Sequence, residues 1–366
     1  MANAGIDSME FFSSLDTLSK ERRINKDVLC SAIEAAMISA YKKNFGKNAN
    51  VRATIDPAKG VVEIFSRKTV VEEVRDPQCE MTLEEARAVQ PQYELGDLVE
   101  VEVTPKDFGR IAAQTAKQVV VQHLREAERG EIYDEYSQKE NEILTAIVTR
   151  VDARQAYVEL GRTEGILEAS QQMPTEELRV DDRIKVYVLE VSRQSRGPQI
   201  YVSRTHPGLV KRLFELEVPE IVSGKVQIKS IAREAGFRTK MAVISTDPSI
   251  DPVGSCVGPH GMRVENVVSE LRTEKIDIVK WSSDPAEYIA SALNPARILS
   301  VYIAENEKSA RVIVPDNQLS LAIGKEGQNA RLAAKLTGWK IDIKSQSQVE
   351  RAMEESGAFG EDGGEE

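Results

Sequence analysis

The sequence predicts an α+β, multidomain protein, and three observations carry that prediction. Residues 143–204 hold five short segments of alternating apolar character separated by polar turns, the mark of a small OB-type β-barrel. Residues 206–345 contain one α/β pattern twice, with Gly258 and Gly261 in the first copy matched by Gly324 and Gly327 in the second. Ahead of both lies a stretch of different character, which opens on a strongly periodic helix.

In that first stretch Leu29, Ile33, Met37 and Tyr41 recur every four residues with Ala32, Ala36 and Ala40 beside them, predicting a helix over 26–45 with Gly46 as its C-cap. VRATI, VVEIF and TVVEEV read as three short strands, the first two joined by a turn at Asp56-Pro57-Ala58-Lys59-Gly60. Thr82 and Glu85 have the spacing of a capping box. Val99, Val101 and Val103 alternate with acids, as in a half-buried strand. From Gly109 to about Tyr136 the pattern is helical, with Gly130 a weak point. This gives an N-terminal α+β domain over 1–128 and a helical connector to about 136.

The barrel segment, 137–204, contains ILTAIVTRV, QAYVEL, EGILEA, RIKVYVLEV and PQIYVSR as its strands. The repeated unit follows as 206–279 and 280–346. Each copy reads helix, β pair, glycine loop, helix, then a strand containing Ile-Asp-Ile. The interval from the first loop glycine to that strand is 18 residues in one copy and 17 in the other. The last segment, 347–366, is acidic and glycine-rich and is expected to be disordered.

A net charge of −11 argues at first against nucleic acid, but it is unevenly spread. Residues 1–136 carry −6 and residues 346–366 another −6, whereas 206–345, with 19 basic and 17 acidic side chains, is the only net-positive segment. Cys30, Cys79 and Cys256 are few, odd in number and far apart, which predicts a reducing, cytoplasmic setting and neither a disulfide framework nor a metal site. No apolar run approaches the roughly 18 residues of a membrane span, and the start lacks a signal-peptide profile. His123, His206 and His260 fall in different modules, and no nucleophile triad or phosphate-loop pattern occurs. No catalysis, cofactor or metal is therefore expected.

A bare Gly-x-x-Gly is a weak signal; the pairs Gly357/Gly360 and Gly360/Gly363 match it inside the acidic tail and are rejected. Gly258-Pro259-His260-Gly261 and Gly324-Lys325-Glu326-Gly327 differ in setting. Each follows a β pair and an apolar residue and opens an amphipathic helix. Glycines there let the backbone approach a sugar-phosphate chain, and the helix N-terminus points amides at a phosphate. KH modules clamp about four nucleotides with such a loop. Lys325 and Arg263 are the cations nearest the loops, followed by Arg331, then Lys335 and Lys340. His260 is either a stacking or hydrogen-bonding contact or an idle surface residue. In the barrel, Tyr157 is either a stacking platform flanked by Arg150 and Arg154 or a packing residue.

The run YVELG, EGIL, DDRIKVYVLEV, IYVSR resembles the S1 RNA-binding domain. S1 domains commonly carry Phe-Gly and His at places that here read Arg154-Gln155 and Glu168, so the barrel is expected either to bind RNA weakly or to serve partly as a spacer. With AAMISAYKKNFG, TEGIL, DPVGSCVGPHGMRVENVVSEL and LAIGKEGQNARLAAKLTGWKIDI, residues from about 6 to 346 resemble the NusA family of bacterial transcription termination/antitermination factors. The resemblance implies an N-terminal domain that docks on the RNA polymerase core, then an S1-type OB barrel and two tandem type II KH domains that bind nascent single-stranded RNA. It implies effects on pausing, termination and antitermination, other elongation and antitermination factors as partners, no membrane, and a monomer. An S1/KH subunit of an RNA-processing or degradation complex is the alternative, although such chains place KH before S1 behind a large catalytic core.

Overall fold

The computed structural model describes residues 26–45, 50–56, 61–104, 108–195 and 197–357. The cap expected at Gly46, the turn at 57–60 and the stretch 358–366 lie outside the described residues. The chain divides into two units, Met1–Glu131 and Ile132–Glu366.

In the first unit, helix α1 (Lys26–Phe45) buries Ile33 and Met37 against Val51, Ala53 and Ile55 of β1 (Val51–Asp56) and Ile64 of β2 (Val61–Val71). The four-residue apolar spacing is what turns those side chains to one face. β2 is one 11-residue strand rather than the two expected at VVEIF and TVVEEV. Its polar stretch Ser66-Arg67-Lys68 stays extended because β2 changes neighbours along its length. It pairs with β1 as far as Ser66, with β4 (Leu98–Glu102) from Phe65 to Thr69, and with β3 (Glu80–Thr82) from Thr69 onward. Helix α2 (Leu83–Val89) starts at the expected capping box: Glu85 N–H donates to the Thr82 hydroxyl and Thr82 N–H to the Glu85 carboxylate. Helix α3 (Phe108–Ser137) fills the expected connector, with Gly130 inside it.

The second unit begins with a closed barrel of β5 (Ile143–Val151), β6 (Gln155–Glu159), β7 (Glu164–Glu168), β8 (Arg183–Gln194) and β9 (Gly197–Ser203), in the order β5-β6-β7-β9-β8. The five strands are the five read from sequence. Alternate residues fill it, among them Ala146, Val148, Val158, Leu167, Val186 and Ile200. Tyr136, at the end of α3, is buried among them and donates its hydroxyl to Leu160 O at 2.8 Å.

The first KH unit has α4 (Pro207–Glu217), α5 (Pro219–Val222), β10 (Val226–Glu234), β11 (Arg238–Ser245), α6 (Pro252–Val257), α7 (Met262–Glu270) and β12 (Lys275–Lys280). The second has α8 (Pro285–Ala292), β13 (Ser300–Ala304), β14 (Ser309–Val314), α9 (Leu319–Ile323), α10 (Gln328–Thr337) and β15 (Lys340–Ser345). In both, the first two strands are antiparallel and the third adds parallel to the middle one. The short helices α6 and α9, absent from the sequence reading, supply the residues before each glycine loop. The Asp251 carboxylate caps α6 by accepting from Val253 and Gly254 N–H.

Shared cores join these pieces. One face of the first KH sheet packs on α4 and α7 through Val226, Met241, Val243, Leu213, Phe214 and Val267. The other face, with Ala232, Ala242 and Val279, packs on Leu332, Ala333 and Leu336 of α10. Ser230 and Tyr288 hydroxyls lie 2.7 Å apart and both reach Leu336 O. The barrel is tied to the first KH unit by the fully buried Arg204. It grips both Glu176 oxygens at 2.7 and 2.8 Å, Lys185 O at 2.7 Å and the Glu270 carboxylate at 3.0 Å.

The segment expected to be disordered from residue 347 instead begins as helix α11 (Gln346–Gly357). Its start is a second capping box: Ser345 N–H donates to Gln348 Oε1 at 3.0 Å and Gln348 N–H to Ser345 Oγ at 3.4 Å. The Ser347 hydroxyl adds a 2.6 Å bond to Asp316. Acidic composition concealed a helix start that these side chains encode.

Candidate nucleic-acid interface

The two glycine loops have the same backbone. Gly258 and Gly324 lie at φ/ψ of 76/174° and 77/173°, His260 and Glu326 at 53/22° and 54/26°, Gly261 and Gly327 at 78/8° and 74/12°. Three of four residues in each loop thus take positive φ, where L-residues are strained. His260 and Glu326 carry that strain on ordinary side chains, a conformation held by the surrounding fold.

The glycines do different jobs. A Cβ on Gly258 would meet the Arg263 side chain at 2.6 Å, and one on Gly324 would meet the Asn329 backbone nitrogen at 2.8 Å. The first glycine is therefore required by packing. A Cβ on Gly261 or Gly327 would meet nothing within 4 Å. The second glycine borders open space, where a sugar-phosphate backbone can come close. Because glycine caps α7 and α10, neither helix has a side-chain N-cap, and their N-termini face the loop with their positive dipole ends.

Of the residues read from sequence as RNA contacts, Pro259, His260, Lys325 and Glu326 are exposed on the loops. Lys325 forms no ion pair among the described residues and is the cation best presented to a phosphate. Arg263 is placed otherwise than expected: its guanidinium turns back to Ser255 O at 2.6 Å and Glu220 at 3.0 Å, bracing α6. Its counterpart Asn329, also five residues after the first glycine, does the same with Leu293, Leu321 and Ala322 carbonyls. Arg331 is exposed beside the second loop but engaged, donating to Glu234 of β10 at 2.7 Å and to Glu326 O at 3.2 Å. That bond holds the Glu234 carboxyl below the usual carboxylate range and raises Arg331. Met262, 58% exposed immediately after the first loop, escaped the sequence reading. Its signal was an apolar side chain at the first helical position, where the packing stripe does not need one.

Tyr157 and Arg154 lie on the β5–β6 hairpin of the barrel, apart from the loops. Tyr157 points outward, half-buried, with the Arg150 guanidinium 3.9 Å from its ring centroid. Gln155 also hydrogen-bonds its hydroxyl. Arg154 is exposed at the turn. Strand register adds a second aromatic that sequence spacing could not reveal: Tyr157 pairs with Ile166, and Ile166 with Tyr201. Exposed carboxylates around this row, Glu159, Glu164, Glu168 and Glu190, outnumber the exposed Arg150 and Arg154 beside Tyr157, a poor electrostatic match for phosphate. Among the described residues no cluster of three or more His, Cys, Asp or Glu could hold a metal ion. No helix among them is long and apolar enough to cross a membrane.

Four family models match successive stretches of the chain. Residues 10–130 match the NusA N-terminal domain model and 137–203 the S1 RNA binding domain. Residues 204–281 match the NusA-like first KH domain and 285–351 the NusA-like second KH domain. The transcription termination/antitermination protein NusA of Bacillus subtilis (strain 168) is 59% identical over 93% of this chain and 92% of its own length. The chain belongs to the NusA family. Another NusA, from Thermus thermophilus, is 43% identical over 92% of this chain and 89% of its own. The solution structure of the N-terminal domain of NusA from B. subtilis is 55% identical, covers 33% of this chain and 98% of that one, and has a TM-score of 0.31. NusA family membership makes this a transcription termination/antitermination protein rather than a subunit of an RNA-degrading complex, and the resemblance read from its loop segments is borne out.

Proposed function

We propose that the protein binds the RNA polymerase core through residues 1–128 and nascent single-stranded RNA through 137–345, and so alters pausing, termination and antitermination. The observation that carries this reading is the pair of KH loops with one backbone geometry, each open at its second glycine, in a unit joined by shared cores. Gly258, Pro259, His260, Gly261, Gly324, Lys325, Glu326 and Gly327 form the clamps. Arg331 is available once Glu234 releases it, and Arg263 supports its loop from behind. Tyr157 and Arg154 supply a weaker contact on the barrel. The acidic first unit, which lacks a nucleic-acid signature, suits a protein partner. Other elongation and antitermination factors join it on the polymerase, and the protein acts as a cytoplasmic monomer without catalysis.

The test is the double variant Gly261→Asp, Gly327→Asp. Both positions are open, and Asp tolerates left-handed backbone better than most residues, so the fold should persist. RNA affinity should fall by about tenfold or more as two carboxylates meet the phosphates. A folded double variant with unchanged affinity contradicts the reading. Co-purification of residues 1–128 with core polymerase in the absence of RNA tests the other half. Association of the C-terminal modules alone would reverse that assignment.

A further inference from the structure

An open cavity of about 720 Å³ lies in the seam between the barrel and the first KH unit. Its wall is mixed: Met173 and Phe237 are apolar, while Ser170, Gln172, Thr205 and Glu234 are polar. Phe237 sits at the β10–β11 turn and is 52% exposed. The exposed part of the ring gains nothing from the hydrophobic effect on folding.

The turn that displays it is nonetheless held rigidly. The buried Glu274 carboxylate accepts from Gly236 N–H at 2.9 Å, from the Thr239 hydroxyl at 2.5 Å, and from Arg233 at 2.9 and 2.8 Å. On the barrel side the Thr175 hydroxyl donates to Gly236 O at 3.2 Å. Gly236 has φ +81°, and a Cβ there would lie 2.3 Å from that hydroxyl oxygen, so only glycine fits. Two modules thus converge to fix the backbone of the turn that carries Phe237 to the mouth of a cavity.

That cavity adjoins the second clamp. Glu234, part of its lining, accepts from Gln328 Nε2 at 2.9 Å and Arg331 Nε at 2.7 Å. Gln328 directly follows Gly327, and Arg331 also donates to Glu326 O within the loop. One carboxylate is therefore a wall of the cavity and a neighbour of the clamp.

We propose that this cavity is a nucleobase pocket. A base of the strand held by the second KH loop passes Glu234 and stacks on Phe237, its edge facing Ser170, Gln172 and Thr205. This rests on the reading of the KH loops as an RNA clamp and extends the footprint beyond it. Because every base has a π-face, the stack binds without strong sequence preference. The barrel then contributes to RNA binding through the loop after β7 in addition to the weaker contact at Tyr157 and Arg154.

The experiment uses the full chain and a single-stranded RNA of about 12 nucleotides, long enough to cover two four-nucleotide clamps and a neighbouring base. A 2-aminopurine is moved through it one position at a time. Its fluorescence should be quenched by stacking at a position next to those that lose contact in Gly327→Asp. Phe237→Ala should abolish that quench and weaken binding about tenfold, whereas Phe237→Trp should retain both. Phe237 is exposed, so neither variant should lower the thermal midpoint. If Phe237→Ala binds and quenches like the parent while Gly327→Asp still loses affinity, the pocket assignment is wrong and the clamp stands. If Gly327→Asp also binds like the parent, the RNA reading itself fails, and the pocket with it.

Discussion

Within each KH clamp the two glycines answer to different forces, and substitution separates them. Gly324→Asp must push against the Asn329 backbone nitrogen at 2.8 Å and so should destabilise the second unit by about 1–3 kcal/mol, in the range for overpacking. Gly327→Asp, in open space, meets no neighbour and should cost only the strain of a left-handed Asp at φ +74°, about 1 kcal/mol or less, while lowering RNA affinity. Equal loss of stability in both variants would contradict the division of roles. Glu234 offers a second residue-scale test. Its carboxylate engages Arg331 at 2.7 Å, and in the function proposed an RNA phosphate would compete with it for that guanidinium. Glu234→Gln should free the guanidinium, raise RNA affinity by roughly threefold and steepen the salt dependence by about 0.7 in log–log slope, the value of one added single-strand phosphate contact. A slope that does not change means Arg331 stays out of reach of the phosphates.

Between elements, the seam of barrel and first KH unit concentrates buried charge. Arg204→Ala would leave Glu176, only 1% exposed, with Arg272 alone at 3.2 Å. The loss should be about 3–5 kcal/mol in urea unfolding, the range for breaking a buried pair by removing one partner. A loss under about 1 kcal/mol would show the pair to behave as a surface bridge. His206 adds a pH dependence to the same seam. Its Nδ1 accepts from Gly208 N–H at 3.0 Å at the start of α4, and its ring stacks 4.6 Å from Tyr187. Burial, then the Arg233 guanidinium, pushes its pKa below the usual value. The native state therefore favours the neutral ring, and the unfolded chain takes up the proton first. Stability should be full above about pH 6.5 and fall as pH drops from there to the depressed native value. His206→Asn keeps a cap without titrating, so its thermal midpoint should fall less than the parent's between about pH 7.5 and 5.5. Equal falls would remove His206 as the cause. The elements that sequence made plain were those with strong period or repetition: α1, the five barrel strands and both KH β pairs with their loops. What it hid has specific causes. β2 is continuous because its neighbours change, which no local pattern records. α6 and α9 are too short for a period to show, although Asp251-Pro252 is a helix-start signal. Glycine spacing located both clamps, but the roles of Arg263 and Arg331 depend on Glu220 and Glu234, partners 43 and 97 residues away in sequence.

At the scale of the whole molecule, weak RNA modules and an acidic first domain make sense together. The KH segment 206–345 carries a net charge of only +2, so counterion release is small and free RNA should bind with a shallow salt slope. Docking of residues 1–128 on polymerase, in the function proposed here, would hold the clamps beside the emerging strand at an effective concentration on the order of millimolar. Contacts that dissociate readily could then follow a moving transcript and still stay occupied. The physical link is α3, which runs unbroken from Phe108 to Ser137 and ends with Tyr136 buried in the barrel. In the function proposed, this covalent link, rather than either half alone, produces the effect on pausing. Its most direct test compares pause lifetimes on one template with the intact chain and with an equimolar mixture of its two halves cut near Gly130. The intact protein should prolong or shorten pauses at sub-micromolar concentration, whereas the mixture should have little effect. Equal activity of the unlinked halves at that concentration would contradict it.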